Sequence, residues 1–166
     1  MSDTIVPRAT GAVVLRAATA ADAPVLAAII AESFAQYRGR LVPESGAFRE
    51  TAESIAAELK KGAGAFVAER NGETLGCVMT KPMEGDLYFG RLSVLPTARG
   101  LGVAKRLIEA VEAEARRRGL AGVRLGVRMV LTDNQQLFAS MGYLETDREA
   151  HPGFDYPTSI NMRKRL

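Results

Sequence analysis

Apolar residues recur along this chain with two periods, and each change of period marks a change of secondary structure. Val13-Val14-Leu15-Arg16 predicts a first strand. Leu26, Ile29, Ile30 and Ser33 then share one face of a helix, with Pro24 in its first turn and Thr19 or Asp22 as its cap. The Gly-, Pro- and Arg-rich run from Gln36 to Ala47 predicts a loop, after which Thr51 caps a second helix with Ile55 and Leu59 as its buried stripe. Phe66-Val67-Ala68-Glu69 and the segment Glu73 to Thr80 flank Arg70-Asn71-Gly72, where Asn-Gly supplies the positive φ angles of a tight hairpin. Leu87 to Leu95 is the next apolar strand. Val103, Leu107, Val111 and Ala115 stand four apart along a helix from Gly102 to Arg118, which Gly119 stops.

Val123-Arg124-Leu125-Gly126-Val127 predicts a further strand. Thr132 and Gln135 have the spacing of a capping box and open a short helix that turns Leu137, Phe138 and Met141 inward and ends at Gly142. Tyr143-Leu144-Glu145 and Thr158 to Lys164 are the closing strands. The order β α α β β β α β α β β predicts one sheet covered by helices on both faces, in the α/β (α+β) class. Residues 1–11 have no periodicity and read as a flexible leader before a single domain spanning 12–166.

Composition narrows the function classes. A net charge of +3 over 166 residues is too small and too dispersed to make a nucleic-acid surface. No run approaches the roughly 20 apolar residues of a membrane span, and the first residues carry no basic-then-apolar leader. Cys77 is the only cysteine, so no internal disulfide forms and a reducing, cytoplasmic setting is expected. In a hairpin strand, Cys77 reads as a small buried hydrophobe. No metal-ligand spacing stands out. Arg116-Arg117-Arg118 reads as a solvated helix end that complements the dipole.

The chemistry-bearing stretch is the strand Leu87 to Leu95, a short loop, and Arg99-Gly100-Leu101-Gly102-Val103-Ala104-Lys105 opening the long helix. Glycines there let backbone amides turn toward one point, and the helix N-terminus adds partial positive charge. That arrangement suits a pyrophosphate. A dinucleotide-binding dehydrogenase is excluded by order, since its glycine loop follows the first strand.

Arg99-Gly100-Leu101-Gly102-Val103-Ala104, preceded by Leu92-Ser93-Val94-Leu95-Pro96, resembles the [Arg/Gln]-x-x-Gly-x-[Gly/Ala] loop of the GCN5-related N-acetyltransferases (GNAT). Asn134-Gln135-Gln136-Leu137-Phe138 followed by Met141-Gly142-Tyr143 is similar to the family's second signature. The resemblance covers roughly residues 12 to 166. It implies a single mixed, mostly antiparallel sheet of about six or seven strands, acetyl-CoA as cofactor, and an amine acceptor. It further implies that amides from Gly100 to Ala104 hold the CoA pyrophosphate, with Arg99 and Lys105 meeting phosphates. The backbone of Leu92, Ser93 and Val94 would pair with pantetheine in a gap before the strand Val123 to Val127, an amide near Val94 would polarise the thioester carbonyl, and Asn134, Leu137 and Phe138 would flank the sulfur.

The attacking amine must be neutral, yet its free pKa is about 10, so a base is needed. Glu84, Asp86 and Glu44 are carboxylate candidates, and His151 in the Pro/Gly-rich loop Glu149 to Pro157 is a further one. Many family members carry Tyr where this chain has Phe138, and Phe cannot protonate a leaving thiolate; Tyr88 or Tyr143 are the candidate replacements. The loops around Tyr37 and Glu44 and around His151 are expected to face the acceptor. Two functions remain: an acetyl-CoA-dependent N-acetyltransferase, or a catalytically silent CoA-binding regulatory module. Exposed edge strands at the chain end suit a homodimer.

Overall fold

A computed structural model describes residues 11–166; the leader read at 1–11 lies, apart from Gly11, outside the described residues. Asn71 and Gly72 both take positive φ, 53° and 79°, and fold β2 (Gly64–Arg70) back on β3 (Glu73–Met83). A second turn of the same kind joins β3 to β4 (Asp86–Val94): Glu84 and Gly85 have φ of 50° and 83°. β3 therefore runs three residues beyond the predicted Thr80, and Glu84 sits on a hairpin tip.

With β1 (Val14–Ala17), β5 (Gly122–Arg128), β6 (Leu144–Glu149) and β7 (Ser159–Arg165), the strands form one seven-stranded sheet in the order β1-β2-β3-β4-β5-β7-β6. Every neighbouring pair is antiparallel except β4–β5. β7 thus inserts between β5 and β6, which leaves β6 as an edge with all six residues exposed.

Among the described residues, four α-helices cover the sheet. α1 (Ala23–Phe34) and α2 (Ala52–Lys60) bury Leu26, Ile30 and Ile55 with Val67 and Cys77 of the sheet. α3 (Val103–Arg117) and α4 (Thr132–Ser140) form the second core: Leu107, Ile108, Val111 and Phe138 meet Val78, Leu87, Phe89 and Leu125. Each fully buried Leu, Ile or Val contributes about 1.5–3 kcal/mol through water release.

The caps hold mostly as expected. Thr51 Oγ1 accepts from the Ser54 amide at 3.0 Å while Ser54 Oγ accepts from the Thr51 amide at 2.8 Å. Thr19 and Asp22 share the start of α1, the Thr19 amide donating to the Asp22 carboxylate at 2.8 Å. The predicted capping box at Thr132 does not form, because α4 begins at Thr132 itself and its N-cap is Leu131. Gln135 instead turns its amide nitrogen to the carbonyls of Arg128 and Met129, each at 2.9 Å, and fastens α4 to the end of β5.

Candidate active site

β4 and β5 are joined at one end and apart at the other. Their pairing consists of Leu87 with Val123 and Tyr88 with Arg124. The joined end is clamped by Asp86, 1% exposed, whose carboxylate accepts from Arg124 of β5 at 2.8 Å and from Arg163 of β7 at 2.7 and 3.0 Å. Hydrogen bonding from Arg163, then Arg124, outweighs burial and holds the Asp86 carboxyl below its ordinary pKa. Farther along, the β3–β4 register slips between Cys77 and Met79, and Arg91 takes φ 53° at this bulge. The bulge bends β4, and an opening widens toward Val94 and Arg128.

The N-terminus of α3 lies at the mouth of this opening. Gly100 and Gly102 take left-handed φ of 84° and 73°, where a side chain is strained. Nothing lies within 4 Å of the place a Cβ would occupy at either, so this face of the loop is open. The Arg106 amide donates to the Gly102 carbonyl at 3.2 Å; the amides of Val103, Ala104 and Lys105 precede the intrahelical ladder and, among the described residues, are unpaired donors aligned with the helix dipole. Arg99 and Lys105 flank them on the cleft wall. This donor set fits a pyrophosphate.

Inside the opening, the Tyr88 hydroxyl crosses from β4 toward β5, where a Cβ at Gly126 would stand 3.9 Å from it. Burial raises the Tyr88 pKa, with Glu149 adding to the rise and Arg91 opposing it. Phe138 packs edge-on against Phe89 and Tyr143, with centroids 5.9 and 6.4 Å away, so it is both core and cleft wall. Asn134 Nδ2 reaches the Tyr37 hydroxyl at 3.5 Å, bringing α4 and the loop after α1 together. His151 also lines the opening; its Nδ1 is hydrogen-bonded to Thr158 Oγ1, and burial, then the Arg128 charge, lowers its pKa.

Several predicted residues do not take the expected place or partners. Glu84, with a side chain 79% exposed and paired with Arg124, lines the cleft near its closed end, whereas Asp86 lies outside the lining and is engaged by two arginines, which does not suit a base. Ser93 is fully buried and donates to the Arg91 carbonyl at 2.9 Å, bracing the bulge instead of facing the cleft. Leu101 is exposed outside the cleft lining. The Tyr143 hydroxyl donates to buried Glu112 at 2.9 Å in the core, far from a leaving-group role. Glu44 does line the cleft, its carboxylate accepting from the Gly39 amide of its own loop at 2.9 Å. Cys77 is buried, which pushes its thiol up to about 12, and Arg117 and Arg118 pair with Glu114 at the end of α3.

Sequence reasoning missed Ser33, Arg91, Arg128 and Glu149 as cleft residues. A faint signal existed for two of them. Ser33 is the polar member of an apolar helix face, and Arg91 interrupts an apolar strand.

Together, a strand pair that parts beside an amide-rich helix start forms a cleft suited to an extended, phosphorylated ligand. Residues 28–143 match the Acetyltransferase (GNAT) family, and the chain belongs to that family. It is 32% identical over 105 residues to an IAA acetyltransferase of Azospirillum brasilense, covering 61% of this chain and 67% of that protein. To N-acetyltransferase 8 of Mus musculus it is 34% identical over 92 residues, 52% of this chain, and spans only 40% of that relative's length. Among solved structures, the PaiA N-acetyltransferase of Thermoplasma acidophilum in complex with coenzyme A shares the fold, with a TM-score of 0.78 at 16% identity over 93% of this chain and 99% of that one.

Proposed function

We propose that this protein transfers an acetyl group from acetyl-CoA to the neutral amine of a small molecule or peptide, by direct attack within the β4–β5 opening. One observation carries the reading: strand pairing stops at Tyr88 and Arg124 on the side where the α3 N-terminus offers unpaired amides. Those amides suit the CoA pyrophosphate, Arg99 and Lys105 suit its phosphate oxygens, and the backbone of Leu92 and Val94 suits an extended pantetheine arm. When bound, acetyl-CoA supplies the activated thioester.

The chain's own groups do the rest. Asn134, Leu137 and Phe138 wall the sulfur end and exclude water. Tyr88 keeps its proton at neutral pH because burial raises its pKa, and its hydroxyl lies within the opening, so it is the donor for a departing thiolate in place of the missing hydroxyl at Phe138. A positioned acid contributes about 10²–10⁴-fold. His151, with a lowered pKa, is neutral near pH 7 and able to accept the amine's proton through water. Holding amine and thioester in one cleft supplies much of the remaining acceleration.

Titration calorimetry with CoA, combined with thiol release from acetyl-CoA across a panel of amines, tests this. Heat with CoA and amine-dependent release are expected. CoA binding without release from any amine would leave the silent CoA-binding module, and no heat would remove both. Among the described residues no helix is long and apolar enough to cross a membrane, and the single cysteine, which leaves no internal disulfide, supports a cytoplasmic setting. The exposed β6 edge supports a homodimer, which sedimentation would test.

A further inference from the structure

Resting on the acetyl-transfer reading, we infer that the acceptor amine carries a carboxylate, gripped by Arg91 and Arg128 at the wide end of the β4–β5 opening with Arg49 beside them. Arg128, the last residue of β5, is half-buried in the cleft wall. Its guanidinium donates to the Pro43 carbonyl at 2.8 Å and the Glu44 carbonyl at 3.3 Å, and among the described residues no carboxylate lies within ion-pair distance of it. Two carbonyls orient the fork without a contacting counter-charge, Glu44 acting on it only through space. Arg91 projects from the bulge of β4, close enough for its charge to disfavour that of Arg128.

Arg49 joins this group. A Cβ built on Gly46 would stand 2.9 Å from Arg91 Nη2 and 3.3 Å from Arg49 Nη2, so both guanidiniums reach the same point over that glycine. Against three cations, the carboxylates nearby are already hydrogen-bonded or stand outside ion-pair distance of Arg128. Glu50 pairs with Arg91 at 3.3 Å and also accepts from Ser54 Oγ at 2.8 Å. The Glu44 carboxylate accepts from the Gly39 amide and attracts Arg128 through space without reaching ion-pair distance. Glu149 stands in the same cross-strand row as Arg128, with Ser159 of β7 between them, and is within Coulombic reach of Tyr88 and His151.

Three guanidiniums with one ion-paired carboxylate among them leave an excess of positive charge that a bound anion would relieve. A planar carboxylate matches the guanidinium fork, and with it seated there the amine end extends toward Tyr88 and His151, where Glu149 supplies the opposite charge. The site is dipolar, as an amino-acid-like acceptor is dipolar. A free phosphate or a CoA phosphate would meet the same donors, and the experiment separates these sources.

Amines are compared in pairs that differ only in the carboxylate: phenylalanine with phenethylamine, leucine with isoamylamine, a dipeptide with its C-terminal amide. kcat/KM is read from thiol release. The carboxylated member of at least one pair is expected to be favoured tenfold or more, and Arg128→Gln to pull that ratio toward one, with Arg49→Gln doing so in part. CoA affinity, measured by calorimetry, stays at the wild-type value in both variants and certifies their folding. In parallel, binding of N-acetylphenylalanine and N-acetylphenethylamine to the CoA-loaded protein is measured, which needs no turnover. Equal or better use of the decarboxylated member in every pair overturns the inference. So does a loss of CoA affinity in Arg128→Gln with selectivity unchanged, which would assign the arginines to cofactor phosphate. Arginine-dependent binding of N-acetylphenylalanine without thiol release from any amine would support the carboxylate site and sink the acetyl-transfer reading.

Discussion

Ser33 Oγ accepts a hydrogen bond from the Val94 amide at 3.1 Å. The next amide along, that of Leu95, donates to Leu75 of β3 at 2.9 Å, so Val94 points its N–H to the opposite side, toward the opening. A strand donor there would ordinarily pair with β5. Helix α1 satisfies it instead, and β4 has no need of β5 at this level. Ser33 therefore occupies the amide that an extended pantetheine arm would use.

Ser33→Ala removes that competitor and leaves a buried donor unpaired. The variant is expected to lose about 1–2 kcal/mol of stability without ligand and to bind CoA several-fold more tightly. Thermal unfolding and calorimetry read the two effects. Weaker CoA binding would mean that the hydroxyl itself contacts the ligand.

Gly102 has φ 73° immediately before α3. Gly102→Val must either hold a β-branched residue in the left-handed region, at about 1–2 kcal/mol or more, or rotate the amides away from the loop. CoA affinity is expected to fall at least tenfold while far-UV dichroism keeps its wild-type shape. Unchanged CoA affinity would refute the assignment of this loop.

Tyr88→Phe removes the hydroxyl in the opening without emptying the space its ring fills. kcat is expected to drop by about 10²–10⁴ with the KM for acetyl-CoA little changed, the signature of a lost general acid. A wild-type rate would mean that the thiolate leaves unaided.

Asp86 ties β4, β5 and β7 together through Arg124 and Arg163. Asp86→Asn is expected to cost about 2–3 kcal/mol, below the 3–5 typical of a fully buried pair because both arginines are partly solvated. The folded-state pKa of Asp86 lies below its unfolded value near 3.9, so its contribution is complete above about pH 4 and disappears as pH falls through the lower, folded value. Denaturant unfolding should show a constant gap between wild type and variant from pH 7 to about pH 4.5, closing below that. A gap that widened on acidification would contradict the ion pair.

Glu112 is buried and accepts from Tyr143 at 2.9 Å and from Lys164 at 3.0 Å. Tyr143→Phe deprives it of one donor and is expected to cost about 1–3 kcal/mol. Thiol-release kinetics well below the melting temperature should be those of the wild type, because this hydroxyl faces the core. A large fall in kcat would return Tyr143 to the chemistry.

Much of this protein follows from local rules. The period of apolar residues, the Asn71-Gly72 turn, the Thr51 cap and the glycines between β4 and α3 depend on neighbours a few residues away, and a sequence displays such neighbours directly. Asp86 illustrates the opposite case. Among charged residues near a strand start it reads as a base, yet its partners lie 38 and 77 positions downstream and make it a clamp. Arg91 and Arg128 likewise acquire their setting from Glu50, Gly46 and Pro43, which only the bulge in β4 and the loop after α1 bring to them. The end of the cleft proposed for the carrier is backbone chemistry with a short-range signature. The acceptor end is built from side chains on distant segments, and only packing of the whole sheet determines which of them meet.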